Sequence, residues 1–268
     1  MAAAPLSVCI SGALGGVGRR LVEGVRDDPA FTLRSAVARR EVGRDVGEAL
    51  GGAPLGVAIT DDIEAALDAG PDVLIDYTHP SLIRHHLDCA FARRIPVVIG
   101  TTGLADADFE HIDAAAREAG VGAVTGNFAI TAALLQHLAR IAARHVPHWE
   151  VVEYNKASKP DVPSGTAREL AELLGRVRAP EIELADGDLI GPVEARGAEF
   201  GGARVHSIRL PGYASAVEVH FGLPGERLVM RHDADGDGAI FVHGSLLAAQ
   251  RVQSITGLVR GLDTLLFG

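Results

Sequence analysis

The stretch "EYNKASKPDVPSGTA", residues 153–167, carries Lys156 and Lys159 up to Pro163-Ser164-Gly165-Thr166, where a helical pattern begins. Ser164 is a good N-cap, and Gly165 leaves the first backbone N–H groups uncovered. Bare amides at the positive end of a helix, with lysines beside them, suit an anion. Lys159 combines two capacities there, pairing with a carboxylate and donating a proton. Lys156 suits a share in that chemistry and a solvated loop position equally well.

A second stretch, "CISGALGGVGRRL", spaces Gly12, Gly15 and Gly18 as G-x-x-G-x-x-G directly after a strand-like run. Glycines so placed permit a tight turn, close approach of a pyrophosphate and close packing of the next helix. Gly12, Ala13, Leu14, Gly15, Gly16 and Val17 are therefore candidate cofactor contacts. At the end of the second strand a carboxylate would mark NAD, but "VARRE" offers Ala38, Arg39 and Arg40. Two guanidinium groups suit a 2′-phosphate, so NADP(H) is the preferred cofactor, with NAD(H) possible. The alternative for both arginines is a solvated loop. Two further strand ends, Gly100-Thr101-Thr102 and Gly126-Asn127-Phe128, fall where open α/β sheets bind ligands and are candidates for the nicotinamide.

The elements that must position these residues read clearly over the first half. Short apolar runs such as "LSVCI", "DVLIDYT", "PVVIGTT" and "GAVTG" alternate with helical segments, which predicts a parallel sheet covered on both faces. From residue 129 the pattern changes. A stripe of Ile130, Leu134, Leu138, Ile141 and His145 predicts one long helix over 129–146. Strand-like "HWEVVEYN", "ARVHSIRLP", "SAVEVHFG" and "ERLVMRHD" follow, with a long, weakly patterned loop before the last three. Strands in series predict a mostly antiparallel sheet. "IFVHGSLLAAQRV" and "TGLVRGLDTLLF" read as two closing helices. The expected fold is α/β: a Rossmann-like parallel sheet over residues 1–127, followed by a second, α+β domain with a mostly antiparallel sheet.

Composition narrows the partners. The 268 residues hold 25 Lys and Arg against 35 Asp and Glu, a net charge of −10, which argues against nucleic acid or an anionic membrane. The N-terminal residues lack a signal-peptide pattern and no run reaches the ~18 apolar residues of a membrane span, so a cytoplasmic place is expected. Cys9 and Cys89 have no metal spacing and read as buried spectators. "DADGDGAIFVHG" imitates a calcium loop but has Gly244 where the bidentate glutamate belongs. His85 and His86, adjacent on a helix, cannot chelate together and read as surface residues. No metal is expected.

Taken together, the glycine loop, "VLIDYTHP", "VVIGTTG", "NFAI", "KPDVPSGTA", "VHSIRLPG", "EVHFG" and "LVMRHD" resemble the 4-hydroxy-tetrahydrodipicolinate (dihydrodipicolinate) reductase family over the whole chain. The resemblance implies NAD(P)H-dependent reduction of the cyclic imine 4-hydroxy-tetrahydrodipicolinate to tetrahydrodipicolinate, in lysine and diaminopimelate biosynthesis. It implies a dinucleotide-binding domain at 1–127 completed by the C-terminal helices at 239–268, and a substrate-binding and oligomerisation domain at 128–238 whose sheet builds a homotetramer. It also implies that the anion is a carboxylate of a cyclic imine dicarboxylate, held by Lys159, Ser164, Gly165 and Thr166. The family pattern Glu-x-His-His stands here as Glu153-Tyr154-Asn155-Lys156, so the usual proton donor is replaced by Asn155, and Lys156 and Lys159 become the catalytic candidates. Gly16 stands where the family generally has arginine, and Ala216 where it often has histidine. His206 and Arg209 suit either the substrate or a strand surface. These departures leave open a different cyclic imine, or a cofactor-binding homologue without catalysis.

Overall fold

Apolar runs too short for helices, each closed by a polar or glycine residue, become the strands of a parallel sheet. The computed structural model describes residues 4–268. In chain order, β1 (Leu6–Ser11) leads to α1 (Gly16–Asp27), β2 (Phe31–Val37), α2 (Val46–Ala49), β3 (Ile59–Thr60) and α3 (Ile63–Asp68). Next come β4 (Val73–Asp76), α4 (Pro80–Ala92), β5 (Val97–Ile99), α5 (Asp106–Ala119) and β6 (Gly122–Thr125). They are followed by α6 (Ile130–Ala143), β7 (His148–Asn155), α7 (Gly165–Val177), β8 (Ala198–Phe200), β9 (Ala203–Arg209), β10 (Ser215–Leu223) and β11 (Glu226–Ala234). The chain ends with α8 (Val242–Val252), β12 (Gly257–Arg260) and α9 (Leu262–Phe267). Contacts divide it into two compact units, residues up to Ile130 with Asp237–Gly268, and Thr131–Gly236.

The first unit holds a seven-stranded sheet in the order β12-β6-β5-β4-β1-β2-β3, parallel throughout. Strand order reverses between β1 and β4, which makes their carboxyl ends the switch point where such sheets take ligands. Cys9, Leu74, Val97 and Ile99 pack under Ile83 and Leu87 of α4 and Ile112 of α5. One expectation is corrected here. "TGLVRGLDTLLF" is not one helix, because Gly257–Arg260 pairs in parallel with β6 and only Leu262–Phe267 is helical. Four residues suffice to add an edge strand, and Gly261, at φ +92°, turns the chain into α9.

In the second unit the five strands run β11-β10-β7-β9-β8, antiparallel except where β9 lies parallel to β7. That parallel pair is a βαβ crossover through α7. β7 alternates strictly, with Trp149, Val151, Glu153 and Asn155 buried. Its apolar members pack against Leu170 and Leu174 of α7 and Leu135 and Ala139 of α6. The helix expected over 129–146 is α6, and Leu134, Leu138 and Ile141 of its apolar stripe are 37–48% exposed, while Leu135, Ala139 and Ala143 face the sheet. Alanines let the helix lie close to the strands, so the small-residue face is buried and the larger one is left outward in this chain.

Candidate active site

The first unit builds its loop from glycines, of which Gly12 and Gly18 leave no room for a side chain. Gly12 has φ +87°, and a Cβ there would fall 2.4 Å from the Tyr77 carbonyl oxygen. A Cβ on Gly18 would fall 2.0 Å from the Gly12 carbonyl oxygen. The Gly12 and Ala13 amides bond the Val37 carbonyl, and Gly15 N–H donates to Gly12. Gly15 caps α1 with no side chain on the free amides, and the first turn holds no acid. Space beside Gly16 is open, with nothing within 4 Å of a Cβ built there. This cradle of uncovered N–H groups fits a dinucleotide pyrophosphate.

Around that cradle the expected contacts divide. Arg39 and Arg40 are exposed just past β2 and have no hydrogen-bond or ion-pair partner among the described residues. Gly100 makes room for Tyr77, whose ring would lie 2.1 Å from a Cβ. The Tyr77 hydroxyl is within 2.7 Å of Ser245 Oγ, and burial raises its pKa well above the usual phenol value. Thr101 is buried and its hydroxyl donates to Asp76 Oδ1 at 2.8 Å, whereas Thr102 is exposed. Asn127 Oδ1 accepts from Ala129 N–H, Gly126 has φ +153°, and the Phe128 ring lies in the core beside Tyr77.

Sequence reasoning missed the centre of this cluster. Asp76, fully buried at the end of β4, bonds Thr78, Thr101 and His86. His86 is therefore not a surface residue but 6% exposed on the inner face of α4. Its spacing from Ile83, Leu87 and Ala90 was the available signal. His85 is exposed, with its Nδ1 3.7 Å from Cys89 Sγ one turn on and Glu64 near both. Arg93 occupies that corner, pairing with Glu64 and Asp68. The two cysteines are buried free thiols. The calcium-like carboxylates are engaged otherwise, Asp233 by Arg231 and Asp237 by Arg20.

The second unit places the lysine loop before α7. Ser164 caps the helix, its hydroxyl accepting from Ala167 N–H, and the first turn again lacks an acid. A Cβ on Gly165 would meet nothing within 4 Å, and Thr166 is half-buried beside it. Lys159 Nζ lies 2.9 Å from Asp161 Oδ1, and the lysine holds that carboxyl below the usual range. Lys156 is exposed, with no ion-pair partner for its side chain among the described residues.

Beneath this loop lies a buried acid. Glu153 Oε1 accepts from Ser164 N–H at 2.9 Å, Ser207 Oγ at 2.7 Å and Arg209 Nη2 at 2.6 Å. Arg209 Nη2 also donates to the Asp161 carbonyl at 2.7 Å, tying the loop to β9. Burial opposes ionisation of Glu153, but the bonds from Ser164, Arg209 and Ser207 outweigh it and hold the carboxyl below the ordinary range. Asn155, 3% exposed, turns its amide to Glu153 Oε2 at 3.4 Å. His206 points to the other face of the sheet and pairs with Glu150 at 2.7 Å. The register in which Glu153 meets Ser207 and Asn155 meets Arg209 explains this division.

A doubly wound parallel sheet with a glycine cradle at its switch point, joined to a unit that presents a lysine and a bare helix end, defines an NAD(P)H-dependent oxidoreductase of Rossmann type. Family models described as dihydrodipicolinate reductase, N-terminus and C-terminus, match residues 6–128 and 130–266. The chain belongs to the dihydrodipicolinate reductase family. It is 36% identical over 264 residues to the 4-hydroxy-tetrahydrodipicolinate reductase of Desulfitobacterium hafniense (strain DSM 10664 / DCB-2), covering 97% of this chain and 98% of that one. Identity to the enzyme of the same name from Thermosynechococcus vestitus (strain NIES-2133 / IAM M-273 / BP-1) is 39%, over 98% and 97% of the two chains. Among solved structures, a dipicolinate-bound dihydrodipicolinate reductase from Paenisporosarcina sp. TG-14 superposes with a TM-score of 0.86 at 29% identity, covering 97% of this chain and 98% of that chain. An amine dehydrogenase from Mycobacterium smegmatis shares the fold alone, with a TM-score of 0.67 at 15% identity over 98% of this chain and 96% of that chain. No helix among the described residues is long and apolar enough to cross a membrane.

Proposed function

We propose that this chain reduces the cyclic imine 4-hydroxy-tetrahydrodipicolinate with NAD(P)H, the step its curated relatives are named for in lysine and diaminopimelate biosynthesis. The observation that carries this is the pairing of full-length family membership with an open, uncapped-by-acid helix end at Gly165 and Thr166 beside Lys159. A dicarboxylate suits that end, and the relative solved with dipicolinate binds a molecule of that class.

The roles fall to separate units. The first holds the nucleotide on the amides of the loop Gly12 to Val17, with Gly100, Thr101, Thr102, Gly126, Asn127 and Phe128 bordering the nicotinamide through backbone or side chain. Bound NAD(P)H supplies the hydride. In the second unit, Ser164, Gly165 and Thr166 receive a substrate carboxylate and Lys159 pairs with it. Lys159 also supplies the one proton that the reduction takes up as the 4-hydroxyl leaves as water, since Asn155 is an amide turned toward Glu153 and has no proton to give near neutral pH. Lys156, exposed and without an ion-pair partner among the described residues, assists. The cell compartment is the cytoplasm.

Consumption of NADPH by the purified chain, given freshly generated dipicolinate-pathway imine beside simpler cyclic imines, tests the assignment. Turnover confined to another imine would favour a second reading, that the family's chemistry acts here on a different ring. Asn155 and Lys156, in place of two histidines, are the observation behind it.

Cofactor choice follows from Arg39 and Arg40. With no partner for either side chain among the described residues, both are available to a 2′-phosphate. Charge-assisted bonds of roughly 1.5–3 kcal/mol predict at least about a tenfold tighter binding of NADPH than NADH. Fluorescence titration with the two cofactors decides it, and equal affinities would remove the arginine argument.

We further infer a homotetramer, assembled through the second unit's sheet. One face of that sheet, bearing Glu150, Val152, His206 and His220, borders a cavity of about 1100 Å³ that also takes in Ile182, Leu184 and Leu189. Light scattering at micromolar concentration is expected to return four times the 28.0 kDa chain mass. A monomer mass would contradict the assembly.

A further inference from the structure

Asp76 is 0% exposed, and the three residues before it in β4, Val73, Leu74 and Ile75, are apolar and equally buried. An acid in that place costs several kcal/mol unless fully partnered, so an apolar residue would serve packing better. What surrounds it explains its presence. Oδ1 accepts three bonds, from Thr78 N–H at 3.0 Å, Thr78 Oγ1 at 2.7 Å and Thr101 Oγ1 at 2.8 Å. Oδ2 accepts from His86 Nδ1 at 2.7 Å, and Ser11 Oγ lies 3.4 Å from the same nitrogen.

The groups held by Oδ1 are loop residues and not core. Thr78 follows β4, Thr101 follows β5, and the Thr78 amide also donates to Thr101 Oγ1 at 2.9 Å. Tyr77 and Thr78 in turn touch the glycine cradle. The Tyr77 carbonyl and the Thr78 methyl are the atoms a Cβ on Gly12 would meet, at 2.4 Å and 3.5 Å. Tyr77 N–H donates to the Ser11 carbonyl at 3.0 Å. The network therefore joins the ends of β1, β4 and β5, around the point where strand order reverses.

We propose that His86 is a positioning residue for the cofactor: through Asp76 it fixes Thr78 and Thr101, and with them the floor of the crevice beside the glycine loop. The proposal rests on the reading that this unit holds NAD(P)H. His86 itself sits on the inner face of α4 and acts only through the carboxylate.

The test compares His86→Asn, whose amide nitrogen falls near the imidazole Nδ1 and keeps the donor, with His86→Leu, which lacks it. NADPH dissociation constants are measured by fluorescence titration well below each variant's melting temperature. His86→Leu is expected to bind about tenfold more weakly, the effect of losing one bond to a charged group, while His86→Asn stays near the parent. His86→Gln, which keeps the volume but carries its amide past the Nδ1 position, is a second variant should His86→Leu not fold, with the same loss expected. Thr101→Val combined with the His86 variant is expected to lose no more than the larger single loss, because both act through one carboxylate. A lowered melting temperature with unchanged NADPH affinity in His86→Leu or His86→Gln would overturn the proposal and leave a structural pair. Failure of the unaltered chain to bind either NADPH or NADH would overturn the nucleotide reading and this proposal with it.

Discussion

Lys159→Ala is expected to lose at least ~100-fold in turnover, the lower end of what general acid catalysis contributes. Two functions leave together, the cation that pairs with a substrate carboxylate and the proton taken up as the 4-hydroxyl leaves as water. In the free chain Lys159 rests on Asp161, and both side chains are partly exposed, at 29% and 47%. A pair of that kind is worth ~0–1 kcal/mol, so releasing the ammonium to a substrate costs little. Interactions made mainly in the transition state lower the turnover number and the specificity constant alike, and steady-state kinetics with the imine at saturating NADPH reads both. NADPH affinity is expected to stay nearly unchanged, because the nucleotide's residues belong to the other unit. Lys156→Ala should do less. A fully active Lys159→Ala beside a dead Lys156→Ala would move the catalytic role to Lys156, and indifference to both on every imine tried would end the enzymatic reading of this loop.

Much of this was legible in the sequence because local signals and global fold agree. Alternating apolar runs and helices specify a parallel sheet, and a glycine loop after the first strand fixes where its ligand end lies. The lysine loop was legible for the same reason, since Ser164 announces a helix start independently of any tertiary contact. What stayed hidden depends on partners distant in the chain. Glu153 is bonded to Ser207 and Arg209, more than fifty residues away, and only the parallel register of β7 and β9 brings them together. His86 looked like surface because a histidine pair on a helix is usually solvated, and its acid stands on another element. The helix at α6 was legible but its buried face was not, because hydrophobicity alone ranks Leu134 and Leu138 above Ala139 and Ala143. Close packing on the sheet selected the smaller side chains. In "TGLVR" a four-residue edge strand gave too short a run for period 2 to stand out against 3.6.

The second large effect is expected from Glu153→Ala, at about 3 kcal/mol of folding stability, the cost of removing one partner from a buried ion pair. Arg209 would keep its bonds to the Asp161 and Ile208 carbonyls, but its charge would lose its ion-pair partner, and its Nε is already buried without an acceptor among the described residues. Ser164 N–H and Ser207 Oγ would lose their acceptor as well, so the cradle before α7 should loosen along with the fold. Glu153→Gln should lose less, since the amide oxygen still accepts while the charge is gone. The acid limb separates the charge from the packing. Glu153 titrates below the ordinary glutamate value in the folded chain. Its contribution is therefore complete above the unfolded pKa of about 4.3 and is lost as pH falls through the lower folded value. Denaturant unfolding at pH 7 and at successively lower pH is expected to show the gap between the parent and Glu153→Gln closing as the acid range is entered. A gap that holds constant through that range would mean that the bonds from Ser164, Arg209 and Ser207 do not stabilise the carboxylate over its acid. If Glu153→Ala unfolded at the parent's midpoint at neutral pH, the acid beneath the lysine loop would not be what holds it in place.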